Sequence, residues 1–118
     1  MEELKYKLTE ETFQVFGGST LYRIEALKDF GDVKKGDKGG FVENEDNLSQ
    51  NGNCWVYDNA TVYGKARVYD CAEIHSVAEV YGNAEVYENA VIGGESKVCG
   101  DTEVCGDTEV FDNEYIYK

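Results

Sequence analysis

From Val56 onward the chain reads VYDNAT (Val56–Thr61), VYGKAR, VYDCAE, IHSVAE, VYGNAE, VYENAV, IGGESK, VCGDTE, VCGDTE and VFDNEY (Val110–Tyr115), then IYK to Lys118. The period is six residues without an insertion. Position 1 is Val or Ile throughout, from Val56 to Ile116. Position 5 is small (Ala60, Ala66, Ala72, Ala78, Ala84, Ala90, Ser96, Thr102, Thr108) until Glu114 breaks the rule in the last complete hexad. Such a period suits neither a helix, whose faces recur at about 3.6 residues, nor a simple strand, whose faces recur at 2. Six residues make a short strand plus a corner, three units close a triangle, and the next turn stacks about 4.8 Å along the axis through parallel backbone pairing.

The residue types suit these places. A β-branched side chain at position 1 favours strand and points inward. The small residue at position 5 points inward beside a corner. Positions 3 and 4 read Asp-Asn, Gly-Lys, Gly-Asn, Glu-Asn and Gly-Asp, types that tolerate positive φ, so they form the corners. Proline is absent, as strands bonded between coils require. The pattern resembles the hexapeptide-repeat family, which implies an all-β fold: a left-handed parallel β-helix of roughly four coils. That fold hosts acyltransferases, carbonic anhydrase-like enzymes and structural modules alike, so it does not by itself specify an activity.

Residues 1–45 do not follow the period and are expected to form a β-rich cap over the open end of a β-helix spanning residues 46–118. Thr9–Phe16 reads as a helical turn or a strand, Gly17-Gly18 as a turn, and Thr20–Leu27 as a strand. GDKGG (Gly36–Gly40) reads as a second turn, with a short strand starting at Phe41-Val42. Extended backward, the hexad places Leu48 and Cys54 at position 5. The segment Leu21–Ala60, LYRIEALKDFGDVKKGDKGGFVENEDNLSQNGNCWVYDNA, is similar to small hexapeptide proteins encoded in bacteriophages and prophages. That resemblance implies a viral origin, and a protein that binds host machinery such as defence nucleases.

Charge narrows the partners. There are 11 Lys and Arg against 24 Asp and Glu, a formal charge of −13. So acidic a surface disfavours nucleic acid and anionic membrane and favours a basic protein, or serves solubility. The start, MEELKYKL, lacks the apolar core of a signal peptide. The four cysteines are spread over inward (Cys54), corner (Cys71) and outward (Cys99, Cys105) positions, which argues against a disulfide framework or a zinc site. A cytoplasmic, reduced setting in an infected bacterial host is expected.

Unrolling the prism assigns outward residues to faces. One face carries Trp55/Tyr57, Glu73/His75, Val91/Gly93 and Glu109/Phe111. A second carries Thr61/Tyr63, Glu79/Tyr81, Lys97/Cys99 and Tyr115/Tyr117. A third carries Arg67/Tyr69, Glu85/Tyr87 and Glu103/Cys105. Around the third face, seven acids (Asp70, Glu73, Glu85, Glu88, Glu103, Asp107, Glu109) surround only Arg67. With Tyr69 and Tyr87 they form the expected partner-binding surface for a basic, nucleic-acid-binding host protein. Tyr63, Tyr81, Tyr115 and Tyr117 are the expected self-association residues of a dimer or trimer. That association, or the partner, is expected to cover the end of the prism near Glu114.

Three functions follow. The preferred one is a non-enzymatic, anti-CRISPR-like inhibitor that occupies a basic nucleic-acid-facing surface, with no cofactor, catalytic residue or metal. The alternative is an acyltransferase. The family resemblance implies a histidine base and a CoA groove, but this chain offers one outward histidine, His75. Its periodic part has only Lys65, Arg67, Lys97 and Lys118 as cations, and a carbonic anhydrase-like site would need more histidines. The third reading is an oligomer that sequesters a small signalling molecule, with Lys34, Lys35 and Lys38 as the local basic patch. GDKGG lacks the Gly-Lys-Ser/Thr ending of a phosphate loop.

Overall fold

Stacked hexads require that residues 18 apart pair in parallel and that each corner turn the chain onto the next face within a few residues. Both conditions hold in the computed structural model. It describes residues 4–15 and 17–118, so Met1, Glu2, Glu3 and Phe16 lie outside the described residues.

Three strands come first: β1 (Tyr6–Gln14), β2 (Thr20–Ala26) and β3 (Lys38–Val42). Two- and three-residue rungs follow. On the first face they are β4 (Trp55–Val56), β7 (Glu73–Ile74), β10 (Val91–Ile92) and β13 (Glu109–Val110). On the second they are β5 (Thr61–Val62), β8 (Glu79–Val80), β11 (Lys97–Cys99) and β14 (Tyr115–Tyr117). On the third they are β6 (Arg67–Val68), β9 (Glu85–Val86) and β12 (Glu103–Val104). Position-1 residues stack in register, as in Val56, Ile74, Ile92 and Val110 on the first face. The chain is thus an all-β parallel solenoid of about four turns. Its core is the Val/Ile columns, buried but for the half-buried Ile116 of the last rung, with Ala60, Ala66, Ala72, Ala78, Ala84 and Ala90, also buried. Each buried Val or Ile contributes roughly 1.5–3 kcal/mol relative to exposure.

The corners are regular. Position 3 has positive φ in every complete hexad, on Gly64, Gly82, Gly94, Gly100 and Gly106 and on Asp58, Asp70, Ser76, Glu88 and Asp112. Position 4 does not. The position-5 amide then closes the corner on the position-2 carbonyl, as in Ala60 N to Tyr57 O at 3.1 Å.

The N-terminal part differs from expectation in four places. Parallel stacking begins ahead of residue 46, because Phe41 and Val42 already pair with Thr61 and Val62. These pairs span 20 residues rather than 18, as does Leu48 with Val68. Leu48 therefore takes a position-1 place, not position 5, and the first coil carries two extra residues before Trp55. GDKGG is only half a turn. Gly39 and Gly40 lie within β3, where a Cβ on Gly40 would come 2.3 Å from the Ala60 carbonyl oxygen. Of the two readings of Thr9–Phe16, strand holds over Thr9–Gln14, since β1 and β2 form an antiparallel hairpin that joins β3 and extends the second face. Trp55, outward on the prism, is buried under this cap, with Phe30 edge-on at 5.2 Å and Tyr6 at 6.1 Å.

Candidate interaction surface

The third face is built by rungs whose outward residues are a cation or carboxylate at position 6 and an aromatic or thiol at position 2. Parallel register places a tyrosine of one rung beside the glutamate of the next. Tyr69 Oη donates to Glu85 Oε1 and Tyr87 Oη to Glu103 Oε1, each at 2.8 Å. The Tyr69 and Tyr87 rings stack at 5.0 Å, 1° from parallel. Desolvation, followed by the Glu85 carboxylate, pushes the Tyr69 phenol up to about 12. The Glu103 hydrogen bond, first among its causes, also raises Tyr87.

The corner acids have a second register. Asp70 Oδ2 accepts the Glu88 amide at 3.1 Å, and Glu88 Oε1 accepts the Gly106 amide at 2.9 Å. Asn89 Nδ2 donates to Asp107 Oδ1 at 3.4 Å. The left-handed corner turns these position-3 amides toward the coil below, where the carboxylate of the preceding corner meets them. Asp58 does the same for Ser76 at 3.0 Å. The column of acids therefore has a structural basis in the sequence register: the carboxylates satisfy corner N–H groups the ladder leaves open.

Each of these carboxylates engages through one oxygen and sits at the surface. Arg67 is exposed and makes no ion pair within 4.0 Å among the described residues; its guanidinium lies 6.0 Å from the Tyr69 ring. Glu109 is exposed, on β13. Glu73 turns instead to His75, whose Nε2 lies 2.8 Å from its Oε1. Of the nine expected partner-binding residues, Tyr69, Glu85, Tyr87 and Glu103 share the third face. Asp70, Glu88 and Asp107 line its exit corner. Glu73 and Glu109 stand one strand further on.

The expected self-association tyrosines share the second face but not one column. Tyr63 and Tyr81 stack at 5.1 Å. Desolvation and then Glu79 push Tyr63 up to about 12. Cys99 continues that column, buried, with Sγ 3.6 Å from Tyr115 Oη. Tyr115 and Tyr117 are 62% and 71% exposed.

His75 lies flat on Tyr57, ring centroids 4.2 Å apart and 5° from parallel. On the next rung is Gly93, where a Cβ would strike the Phe111 ring at 2.7 Å. The missing side chain at Gly93 is thus replaced by Phe111. Lys5 carried no sequence signal, yet it is buried at the N-terminal end. Its Nζ donates to Cys54 O at 2.8 Å and to Gly52 O at 3.2 Å, and burial lowers its pKa. It plugs the first coil by satisfying carbonyls that have no coil beneath them.

Period, register and corners together settle the class. The chain is a hexapeptide-repeat β-solenoid. It is similar to a protein of Escherichia coli (strain K12) described as an uncharacterized acetyltransferase, YdcK, at 43% identity over an alignment of 61 residues. That alignment takes in 46% of this chain and 19% of the relative; the chain thus spans about a fifth of that protein's length. No protein-family model matches the sequence. Among the described residues, no helix is long and apolar enough to cross a membrane.

Proposed function

We propose that this hexapeptide-repeat chain is a binding module that uses its third face and exit corner to engage a basic protein surface. The observation that carries the reading is the hydrogen-bonded acid array. Glu85, Glu103, Asp70 and Glu88 are each held by a donor one rung away. Carboxylates fixed before binding lose little rotamer freedom when cations meet them. Stacked at about 4.8 Å, like charges repel by about 1 kcal/mol per pair in water, and a basic partner reverses that sign. In its finer form the partner is a nucleic-acid-binding host complex and the chain its inhibitor. A basic surface occupied by these acids is closed to phosphate. Self-association through Tyr63, Tyr81, Tyr115 and Tyr117 belongs to the same proposal.

The test uses an arginine-rich peptide as probe and compares two charge-matched triple variants by calorimetry. Reversing Glu85, Glu103 and Asp107 to Lys abolishes binding if the face is the site. Reversing Glu10, Glu11 and Asp37 to Lys leaves most of it. Equal loss in both variants means net charge alone binds the peptide and overturns the proposal.

The second reading, an acetyltransferase, is favoured by the similarity to the protein from Escherichia coli and by the His75–Glu73 pair, in which a carboxylate orients an imidazole that could act as general base. Acetyl-CoA turnover lost in His75→Ala would establish it in place of the first.

A further inference from the structure

The tip of the β1–β2 hairpin overhangs the second face and leaves a groove of about 380 Å³. Its apolar walls are Phe13 and Val77, each 49% exposed. Its floor is Thr61 and Tyr63, and its far end holds Glu79 and Lys97. Thr61 is 5% exposed, and its Oγ1 has no hydrogen-bond partner among the described residues. A buried hydroxyl left unpaired is costly, and this one is closed to solvent beneath the groove floor.

The charged end is loosely made. Lys97 Nζ stands 3.9 Å from Glu79 Oε2, the outer limit of an ion pair. Glu79 Oε1 receives only the Tyr63 hydroxyl, at 3.3 Å. Two opposite charges at that spacing match a ligand head group that carries an ammonium and a carboxylate two bonds apart. In a chain of net charge −13, a free anion is repelled and a free cation is attracted everywhere. A zwitterion is neither, so local geometry decides its binding.

We infer that this groove binds a free α-amino acid with an apolar side chain. The ammonium lies on Glu79, the carboxylate on Lys97, and the side chain between Phe13 and Val77. This is independent of the acidic third face and of any transfer chemistry.

The experiment is calorimetry and saturation-transfer NMR on the full chain with L-phenylalanine as probe. Two truncated probes run beside it: 3-phenylpropionate lacks the ammonium and 2-phenylethylamine lacks the carboxylate. L-phenylalanine is expected to bind with a Kd of about 1 mM or tighter. Each truncated probe binds about tenfold more weakly or worse. Lys97→Met and Glu79→Gln, both on partly exposed side chains, weaken phenylalanine about tenfold with an unchanged circular dichroism spectrum. Lys65→Met, outside the groove, leaves it unchanged. The inference is overturned if L-phenylalanine shows no saturable binding, if 2-phenylethylamine binds as tightly as L-phenylalanine, or if Lys65→Met has the same effect as Lys97→Met.

Discussion

Gly40→Ala adds one methyl group where two elements meet, and its cost can be worked out from the contacts. Gly40 has no left-handed backbone to lose, so the effect is steric. The new Cβ would lie 2.3 Å from the Ala60 carbonyl oxygen and 2.7 Å from Val56 Cγ1. The valine can shift, but the carbonyl cannot move without disturbing the Phe41 N to Ala60 O bond at 3.0 Å. Its neighbour, Glu43 N to Val62 O at 3.3 Å, is the next tie between β3 and the solenoid. Overpacking costs about 1–3 kcal/mol. Losing one or both hydrogen bonds adds about 0.5–1.5 kcal/mol each. The total, about 1.5–6 kcal/mol, is a large share of the 5–15 kcal/mol typical of a domain. Urea unfolding followed by circular dichroism measures it. Hydrogen exchange shows whether β3 and the cap open first. Gly106→Ala is the control, since a Cβ there meets nothing within 4 Å and only the φ of +68° is strained, worth about 1–2 kcal/mol. If Gly40→Ala unfolds within about 0.5 kcal/mol of the parent, the close packing of β3 on the first coil is wrong.

Two further outcomes follow from groups whose surroundings are visible. Tyr57, Tyr63 and Tyr69 are pushed up to about 12 from an ordinary value near 10, chiefly by desolvation and then by Glu73, Glu79 and Glu85. Phenols raised by folding bind more protons in the folded state. Their stabilisation is complete below pH ~10 and disappears as pH rises through ~12. The urea midpoint is therefore expected to fall between these values while phenolate absorbance reports the ionisation. A flat midpoint across that window contradicts the half-buried tyrosines beside Glu73, Glu79 and Glu85. Thr61→Val removes an unpaired buried hydroxyl without changing shape. It is expected to stabilise the chain by about 1 kcal/mol, or about 4 °C in Tm, and a loss of stability instead would mean the hydroxyl has a partner.

The repeat was legible because its signal is periodic. Val or Ile at position 1 and Ala at position 5 point inward whatever the details of the face, and every pair from Trp55 onward keeps the spacing of 18. The first coil was less legible, since Leu48 and Val42 pair at 20 and two extra residues shift the apparent frame. Gly39 and Gly40 read as a turn because glycine serves both positive φ and close approach, and only the neighbouring carbonyls distinguish the two. The acids of the third face were visible as a cluster. Their cause was not, because the bond from the Gly106 amide to Glu88 exists only once register and corner geometry are known. Lys5 had no pattern to betray it; its role comes from carbonyls 47 and 49 residues away.

In the proposed role the chain presents hydrogen-bonded acids to a basic protein surface. Amide chemical-shift mapping during titration with an arginine-rich peptide at physiological salt tests it most directly. Shifts are expected to concentrate on Tyr69, Asp70, Glu85, Tyr87, Glu88, Glu103 and Asp107, with little change at Tyr57, His75 and Phe111. Shifts spread evenly over all three faces, or centred on His75, would contradict it.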